Sequence, residues 1–265
     1  MHAFEYHRPA TAKDAIGLAA KNDEAKYLAG GQSLVQAMKL RLTSPSDLID
    51  LGTLKDLAFV RATTQGVEIG AMARHADVAG SKEVQKAIPA LAALAGMIGD
   101  RQVRHMGTLG GSLANSDPAA DYPAAALGLG ATIHTNKRKI EADKYFKGLF
   151  ETALEQGELI TAVSFPAPKR AGYSKFKNPA SRFALVGVFV ADFGNGVRVA
   201  VTGAGPCAFR QADMEKALAA KFAPDALANI KVKADGLNND LHATPEYRAH
   251  LIGVMARRAV EAALK

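Results

Sequence analysis

The stretch Met106-Gly107-Thr108-Leu109-Gly110-Gly111-Ser112-Leu113-Ala114-Asn115-Ser116-Asp117-Pro118, running on through Asp121 to Pro123, constrains this chain more than any other. Three glycines, four small hydroxyl or amide side chains and two aspartates fall within sixteen residues. Backbone amides there lie nearly uncovered beside short hydrogen-bonding groups. Paired glycines lack Cβ atoms and permit positive φ, so a phosphate or a flat ring can approach the main chain directly. An isolated Gly-Gly also reads as a tight turn between two buried strands, and one such pair does not separate the two readings.

A second stretch shifts the balance. Tyr27-Leu28-Ala29-Gly30-Gly31-Gln32-Ser33-Leu34 passes from a short apolar strand through another glycine pair into a helix, with Gln32 or Ser33 near its first turn. Unsatisfied N–H groups and the dipole at a helix start favour a phosphate. Two such loops in one chain suggest a dinucleotide held by both. Neither is the Rossmann fingerprint, because Gly128-Leu129-Gly130 and Gly203-Ala204-Gly205 lack a third glycine at the required spacing, and no Gly-Lys-Ser/Thr P-loop occurs.

Composition narrows the classes. With 265 residues and 48% hydrophobic content, the chain can bury a sizeable core as one large domain or two. No apolar run of about 18 residues is present, and Met1-His2-Ala3-Phe4-Glu5-Tyr6 has neither the basic flank nor the apolar centre of a signal peptide, so no transmembrane segment and a cytoplasmic location are expected. Cys207 is the single cysteine, which excludes an internal disulfide, an iron–sulfur cluster and a cysteine-based zinc site. The net charge of +7 could suit nucleic acid, but the cations are scattered and aromatics make up only 6%, so no stacking groove is visible and no nucleic acid is expected. Bound diphosphate and acidic partner surfaces are the better uses. The densest basic group, Lys169-Arg170, Lys175, Lys177 and Arg182, reads equally as a solvated face.

Reactive side chains are few. The seven histidines show no metal-ligand spacing, so no metal is expected on this chain. No Gly-x-Ser-x-Gly elbow occurs, and Cys207 follows a Gly-Pro turn without an adjacent base. Glu151, Glu155 and Glu158 read as a solvated helix face, and no catalytic residue is assigned. Such a chain suits a cofactor that carries the chemistry while the protein supplies position and electrostatics.

Taken in order, the first fifty residues read as a compact α/β unit. Thr11 caps a helix carrying Ala15, Ile16, Ala19 and Ala20, Lys26 to Ala29 is a strand, Leu34 to Leu42 is a helix stopped by Ser44-Pro45, and Asp47 to Leu51 is a strand. A second lobe starts near Asp56, with a hairpin of Ala58 to Arg61 and Gly66 to Ala71, a helix opened by His75-Ala76-Asp77, and a buried helix from Ala87 to Ile98. Past the central loop come a helix from Ala124 to Gly130, a strand from Ala131 to Thr135, and the strand Glu158 to Pro166. A composition shift follows over Lys169 to Pro179. Phe183 to Phe193 and Val197 to Gly203 form a hairpin around Gly194-Asn195-Gly196, and helices cover Arg210 to Ala220 and Pro245 to Leu264, the last capped by Thr244.

With Asn115, Asp117 and Asp121 following, the two motifs Ala29-Gly30-Gly31-Gln32-Ser33 and Thr108-Leu109-Gly110-Gly111-Ser112, in this order and about 80 residues apart, resemble the FAD-binding medium subunit of molybdenum hydroxylases. The resemblance is greatest to the aerobic carbon monoxide dehydrogenase type, with xanthine dehydrogenase further off, and runs from Phe4-Glu5-Tyr6-His7-Arg8-Pro9 to Glu246-Tyr247-Arg248. It implies an α+β fold: a two-lobed FAD-binding domain of the vanillyl-alcohol oxidase type over 1–167, with lobes 1–55 and 56–167, and a small α+β domain of the carbon monoxide dehydrogenase flavoprotein type over 168–265.

By the same resemblance, Leu28, Ala29, Gly30, Gly31, Gln32, Ser33 and Leu34, together with Thr108, Leu109, Gly110, Gly111 and Ser112, hold the FAD diphosphate and ribityl chain. Asn115 and Asp117 belong to the same site. Asp121 matches an aspartate on the ribose side, with an Asx-turn before Pro123 as the plainer reading. Ile98 and Ile160 fall at apolar FAD contacts or simply in the core, and Lys177 matches a lysine near the flavin, beside which the Ile69-Gly70-Ala71 strand also lies. The chain departs from the family at Gln32, where relatives often carry His, and at Arg182-Phe183, where some carry Asp-Tyr.

The implied partners are an iron–sulfur small subunit and a molybdenum-bearing large subunit, in a dimer of heterotrimers that passes electrons from [2Fe-2S] clusters through FAD to a quinone or nicotinamide. The complex would sit in the cytoplasm, in contact with the inner face of the membrane where its acceptor requires. A free-standing FAD-dependent oxidoreductase of the same fold, or a non-redox nucleotide-binding scaffold, would also carry the two loops.

Overall fold

Short β-prone segments alternating with alanine-rich helices make the first lobe a parallel unit; the computed structural model describes residues 1–265. Strands β1 (Glu5–His7), β2 (Lys26–Leu28) and β3 (Asp47–Asp50) pair in the order β1-β3-β2, crossed by helices α1 (Ala12–Ala19) and α2 (Leu34–Lys39). The Thr11 hydroxyl caps α1 by accepting from the Asp14 amide. Helix α2 is shorter than the apolar pattern suggests: Leu40 ends it and Arg41 turns left-handed at φ 60°, before Ser44-Pro45 is reached.

The second lobe begins with the hairpin β4 (Val60–Ala62) and β5 (Gly66–Gly70) and continues through α3 (His75–Gly80), α4 (Lys82–Ala87), α5 (Pro89–Gly96), α6 (Arg101–Met106), α7 (Leu109–Asn115) and α8 (Tyr122–Leu129). Strands β6 (Thr132–Thr135) and β7 (Lys139–Glu141), the helical turn α9 (Ala142–Tyr145), the small pair β8 (Phe146–Gly148) and β9 (Glu151–Thr152), and β10 (Ile160–Pro166) complete it. Its main sheet runs β4-β5-β10-β6-β7 and is antiparallel throughout.

Three glutamates depart from expectation. Glu151 lies in β9, while Glu155 and Glu158 flank the turn before β10, so they share no helix face. Glu158 is 5% exposed. Burial alone would raise its pKa, but donors from Arg138, the Thr135 hydroxyl and the Glu155 amide outweigh burial and hold it at about 2. Sequence inspection misjudged it because its side-chain partners, Thr135 and Arg138 at the β6–β7 turn, lie 23 and 20 residues away in sequence.

The remaining chain forms a second antiparallel sheet, β11 (Arg170–Lys177), β12 (Ala184–Asp192), β13 (Val197–Thr202) and β14 (Phe209–Arg210), with α10 (Ala212–Ala220) and α11 (Pro245–Ala263) on one side. The basic segment after Lys169 is therefore strand β11. Every residue of β12 is buried. Its side chains alternate: Val186, Val188 and Val190 enter a core with α10 and α11, whereas Phe189 and Ala191 join the core of the second lobe.

Between the two sheets lies α8, all eight of whose residues are buried. A helix apolar on every side needs cover all round. The break in sequence near residue 167 is thus no break in packing.

Candidate functional site

Loop 28–34 leaves β2 and enters α2, with Gly31 left-handed at φ 69°. The amides of Ala29, Gly30, Gly31, Gln32 and Ser33 donate to no group of the chain; the first four residues are half-buried and Ser33 is exposed. Ser33 stands at the N-cap of α2 without a side-chain capping bond. Successive amides left without acceptors in a half-buried turn form an anion cradle. The Gln32 side chain reaches only back to the Gly30 carbonyl, at 3.5 Å.

Loop 108–112 is the capped start of a helix rather than a turn between strands. The buried Thr108 hydroxyl accepts from the Gly111 amide. Leu109 and Gly110 donate to the carbonyls of Ala73 and Ala71, past the end of β5, while His75 donates its amide to the Gly107 carbonyl. This loop therefore offers little main-chain donor capacity and is pinned to the main sheet. Its outward groups are Gly111, Ser112 and Asn115, all half-buried.

Glycine brings the loops together. A Cβ on Gly30 would lie against the Met106 carbonyl oxygen and 2.7 Å from the Gly107 Cα, while one on Gly111 would lie 3.6 Å from the Ala29 methyl. Beneath Gly107 sits the His75 ring, so close that a Cβ there would meet Nε2 at 2.5 Å. Desolvation, assisted by the Arg104 charge, lowers the His75 pKa to about 4 and keeps the imidazole neutral.

After α7, Ser116 turns left-handed at φ 47°, and the chain runs through Asp117 to Asp121 across the start of β12 and the end of β13. Asp117 accepts from the Ala119 amide, and burial raises its pKa. Thr202 donates its hydroxyl to the carbonyls of Pro118 and Ala120, and Ala184 and Gly203 donate amides to Ala119 and Pro118. Asp121 is 4% exposed, and its carboxylate takes the Tyr173 hydroxyl at 2.5 Å and the Lys175 ammonium at 2.8 Å. Burial pushes its pKa up, against the pull of Lys175 and Tyr173. Both groups come from β11, and Gly187 on β12 makes room for the Tyr173 hydroxyl, since a Cβ there would lie 2.5 Å from it.

Of the other residues expected at the site, Ile98 is half-buried against the second-lobe core and Ile160, 4% exposed, lies within that core at the start of β10. Lys177 ends β11 and lines a cleft with Arg104 and Arg182. The structure thus joins the two loops directly, but commits Asp121 to a buried ion pair. Sequence reasoning missed Tyr173, Lys175, Gly187 and Thr202. The signal for the first two was the i, i+2 spacing of Tyr173 and Lys175, which puts both on one face of a strand.

A family model described as the FAD binding domain in molybdopterin dehydrogenase matches residues 2–168. The chain is 35% identical to the nicotine 6-hydroxylase medium subunit of Paenarthrobacter nicotinovorans, covering 97% of this chain and 96% of that one. It is 34% identical to the carbon monoxide dehydrogenase medium chain of Hydrogenophaga pseudoflava, covering 98% and 96%. Among solved structures, a chain of reconstituted CO dehydrogenase from Oligotropha carboxidovorans superimposes with a TM-score of 0.90 at 33% identity, covering 99% and 98%.

Proposed function

This chain belongs to the family of FAD-binding domains in molybdopterin dehydrogenases, and from that premise we propose that it is the electron-transfer subunit of a heteromeric molybdenum hydroxylase. It would take electrons from [2Fe-2S] clusters on a small partner chain and deliver them to an external acceptor. Substrate oxidation would belong to a large molybdenum-bearing chain. The observation that carries the reading is the run of five acceptor-free amides, Ala29 to Ser33, packed against the lead-in to the second loop.

These residues fit FAD. A diphosphate needs several convergent donors and close backbone approach, which loop 28–34 supplies and in which a Cβ at Gly30 would leave no room. When bound, FAD supplies the two-electron redox chemistry. The chain's part is to hold and orient it. Amides of loop 28–34 take the diphosphate, and Ser112 and Asn115 offer polar side chains to the hydroxylated linker. Thr108 and His75 fix the second loop, and Asp121, through Lys175 and Tyr173, fixes the segment behind it. Residues 1–167 and 168–265 act as two domains whose shared packing shapes the site.

Nicotine 6-hydroxylase and carbon monoxide dehydrogenase chains match this one equally well. That equality fits a subunit whose sequence does not carry the choice of compound oxidised. No helix here is long and apolar enough to cross a membrane.

Purification of the native complex at low salt tests the proposal. FAD with molybdenum, iron and two further chains is the expected result. FAD on a lone chain without metals would overturn it in favour of a free-standing flavoenzyme, and a chain that binds ADP but no flavin would favour a scaffold.

A further inference from the structure

The first lobe is tied to the rest of the chain by little besides packing. Where the chain crosses over, Leu57 donates its amide to Leu54 and Ala58 to Lys55. Beyond that crossover only two hydrogen bonds leave residues 1–55, and both end on the turn between β9 and β10. The Tyr27 hydroxyl donates to the Gly157 carbonyl at 2.9 Å, and the Gln156 side-chain amide donates to the Asp23 carbonyl at 2.6 Å.

That turn is a fixed post of the second lobe. Gly157 bends it left-handed at φ 68°. The Glu158 carboxylate accepts from Thr135, Arg138 and the Glu155 amide. Leu159 donates its amide to the Asn136 side chain at 2.8 Å and accepts the Asn136 amide in return. Yet the Leu159 side chain, 4% exposed, joins the first-lobe core of Ala15, Ala19, Ile49 and Leu54. One turn therefore grips the second lobe through Glu158 and the first through Gln156, Gly157 and Leu159. Tyr27 stands just before loop 28–34, at the foot of the cradle. Burial pushes its pKa up to about 12, so the hydroxyl remains a donor at neutral pH.

We propose that Gln156 to Leu159 form a latch between the lobes, and that Tyr27 is a positioning residue whose hydroxyl on Gly157 keeps loop 28–34 against loop 108–112 and so slows the departure of FAD. The inference rests on the FAD-subunit reading and extends it to a residue outside both loops. The cradle belongs to the first lobe and its support to the second, so a cofactor held by both leaves most readily when the lobes part. Parting them breaks the two bonds to the turn and exposes Leu159. Arrival differs, because a diphosphate meets the amides of Ala29 to Ser33, which donate to nothing in the chain. The latch governs release more than capture.

The test uses the FAD-loaded complex diluted into buffer without FAD, with release followed by the rise in flavin fluorescence. Rebinding is followed by stopped-flow quenching, and urea unfolding is measured on the same samples. Tyr27→Phe keeps the ring and loses the hydroxyl. Release should quicken about fivefold, the worth of one modest hydrogen bond, while rebinding changes by less than about twofold. Gln156→Ala, which loses the exposed bond, should quicken release about twofold, and it carries the test alone if Tyr27→Phe does not assemble. A role confined to folding predicts instead a lower unfolding free energy with unaltered release from the sites that remain. Release at the wild-type rate in Tyr27→Phe, or in Gln156→Ala where that variant alone assembles, overturns the proposal, as does slower rebinding with release unchanged. A wild-type complex without FAD instead overturns the subunit reading on which it rests.

Discussion

Loop 28–34 leaves the amides of Ala29 to Ser33 without acceptors, whereas loop 108–112 commits its own to Ala71, Ala73 and the Thr108 hydroxyl. Both read as Ala or Leu, Gly-Gly, then a polar residue. Their difference arises from what each loop follows. The first leaves a strand that has already completed its ladder with β3, and no acceptor of the chain takes a hydrogen bond from its amides. The second runs antiparallel past residues 71–75, through a bridge between Arg74 and Thr108, and those residues supply acceptors. One loop is therefore a cradle and the other its support.

The largest effect should come from breaking the anchor behind the support. Lys175→Met leaves the buried Asp121 carboxylate without its cation and should cost about 3–5 kcal/mol in urea unfolding. If the segment after loop 108–112 shapes the cofactor site, the same variant loses FAD even where it remains folded. Pairing it with Asp121→Leu should recover part of the stability, because both charges then leave together.

Next in size is Gly30→Ala. Its Cβ has nowhere to go between the Met106 carbonyl and Gly107, so the loops must part, at about 2–3 kcal/mol and with loss of retained FAD after desalting. Gly111→Ala provides the contrast: its Cβ would fall 2.8 Å from the Thr108 hydroxyl, which must shift, but it meets no backbone, makes an ordinary contact with Ala29, and lies inside a helix that favours alanine. Stability should change by less than about 1 kcal/mol there. Equal damage at the two positions would erase the distinction between cradle and support.

His75 gives the support a pH signature. With a folded pKa of about 4 against about 6.5 when unfolded, the unfolded chain takes up the proton first as pH falls. This contribution is fully present above pH 6.5 and is lost progressively toward pH 4, reaching about 2 kcal/mol of destabilisation at pH 5. Replacing His75 with Gln should flatten the fall in unfolding free energy over that window. An unchanged slope would mean that the ring under Gly107 is protonated without cost.

What was legible in the sequence follows from how local its cause was. Thr11 and Thr244 announce helix starts because a cap acts three residues away, and Gly194-Asn195-Gly196 announces a hairpin for the same reason, whereas the cap at Thr108 went unread because the glycine pair beside it reads as a turn. The pairing of glycine loops was visible as two motifs in order. The buried ion pair was hidden, since Asp121 and Lys175 are 54 residues apart and each has an adequate local reading, as turn residue and as surface cation. Glu158 was misread for the same reason, with Arg138 20 residues away. Nor could glycine pairs alone say which loop keeps its donors, because that depends on which strand passes beside it.

The smallest effects sharpen the comparison most, since they touch one hydroxyl in each loop. Thr108→Ala removes the cap of α7 and should cost about 1 kcal/mol, or roughly 2–3 °C in melting temperature. Ser33→Ala removes a hydroxyl that caps nothing, so stability should hold within about 0.5 kcal/mol. FAD affinity should show the reverse order. Ser33 stands in the cradle, exposed and beside acceptor-free amides, so losing its hydroxyl should weaken FAD about fivefold, the worth of one modest hydrogen bond. Thr108 is buried with its hydroxyl already engaged, so its loss reaches FAD only through the loop's shape. Should Thr108→Ala weaken FAD more than Ser33→Ala while leaving the melting temperature unchanged, the assignment of cradle and support would have to be exchanged.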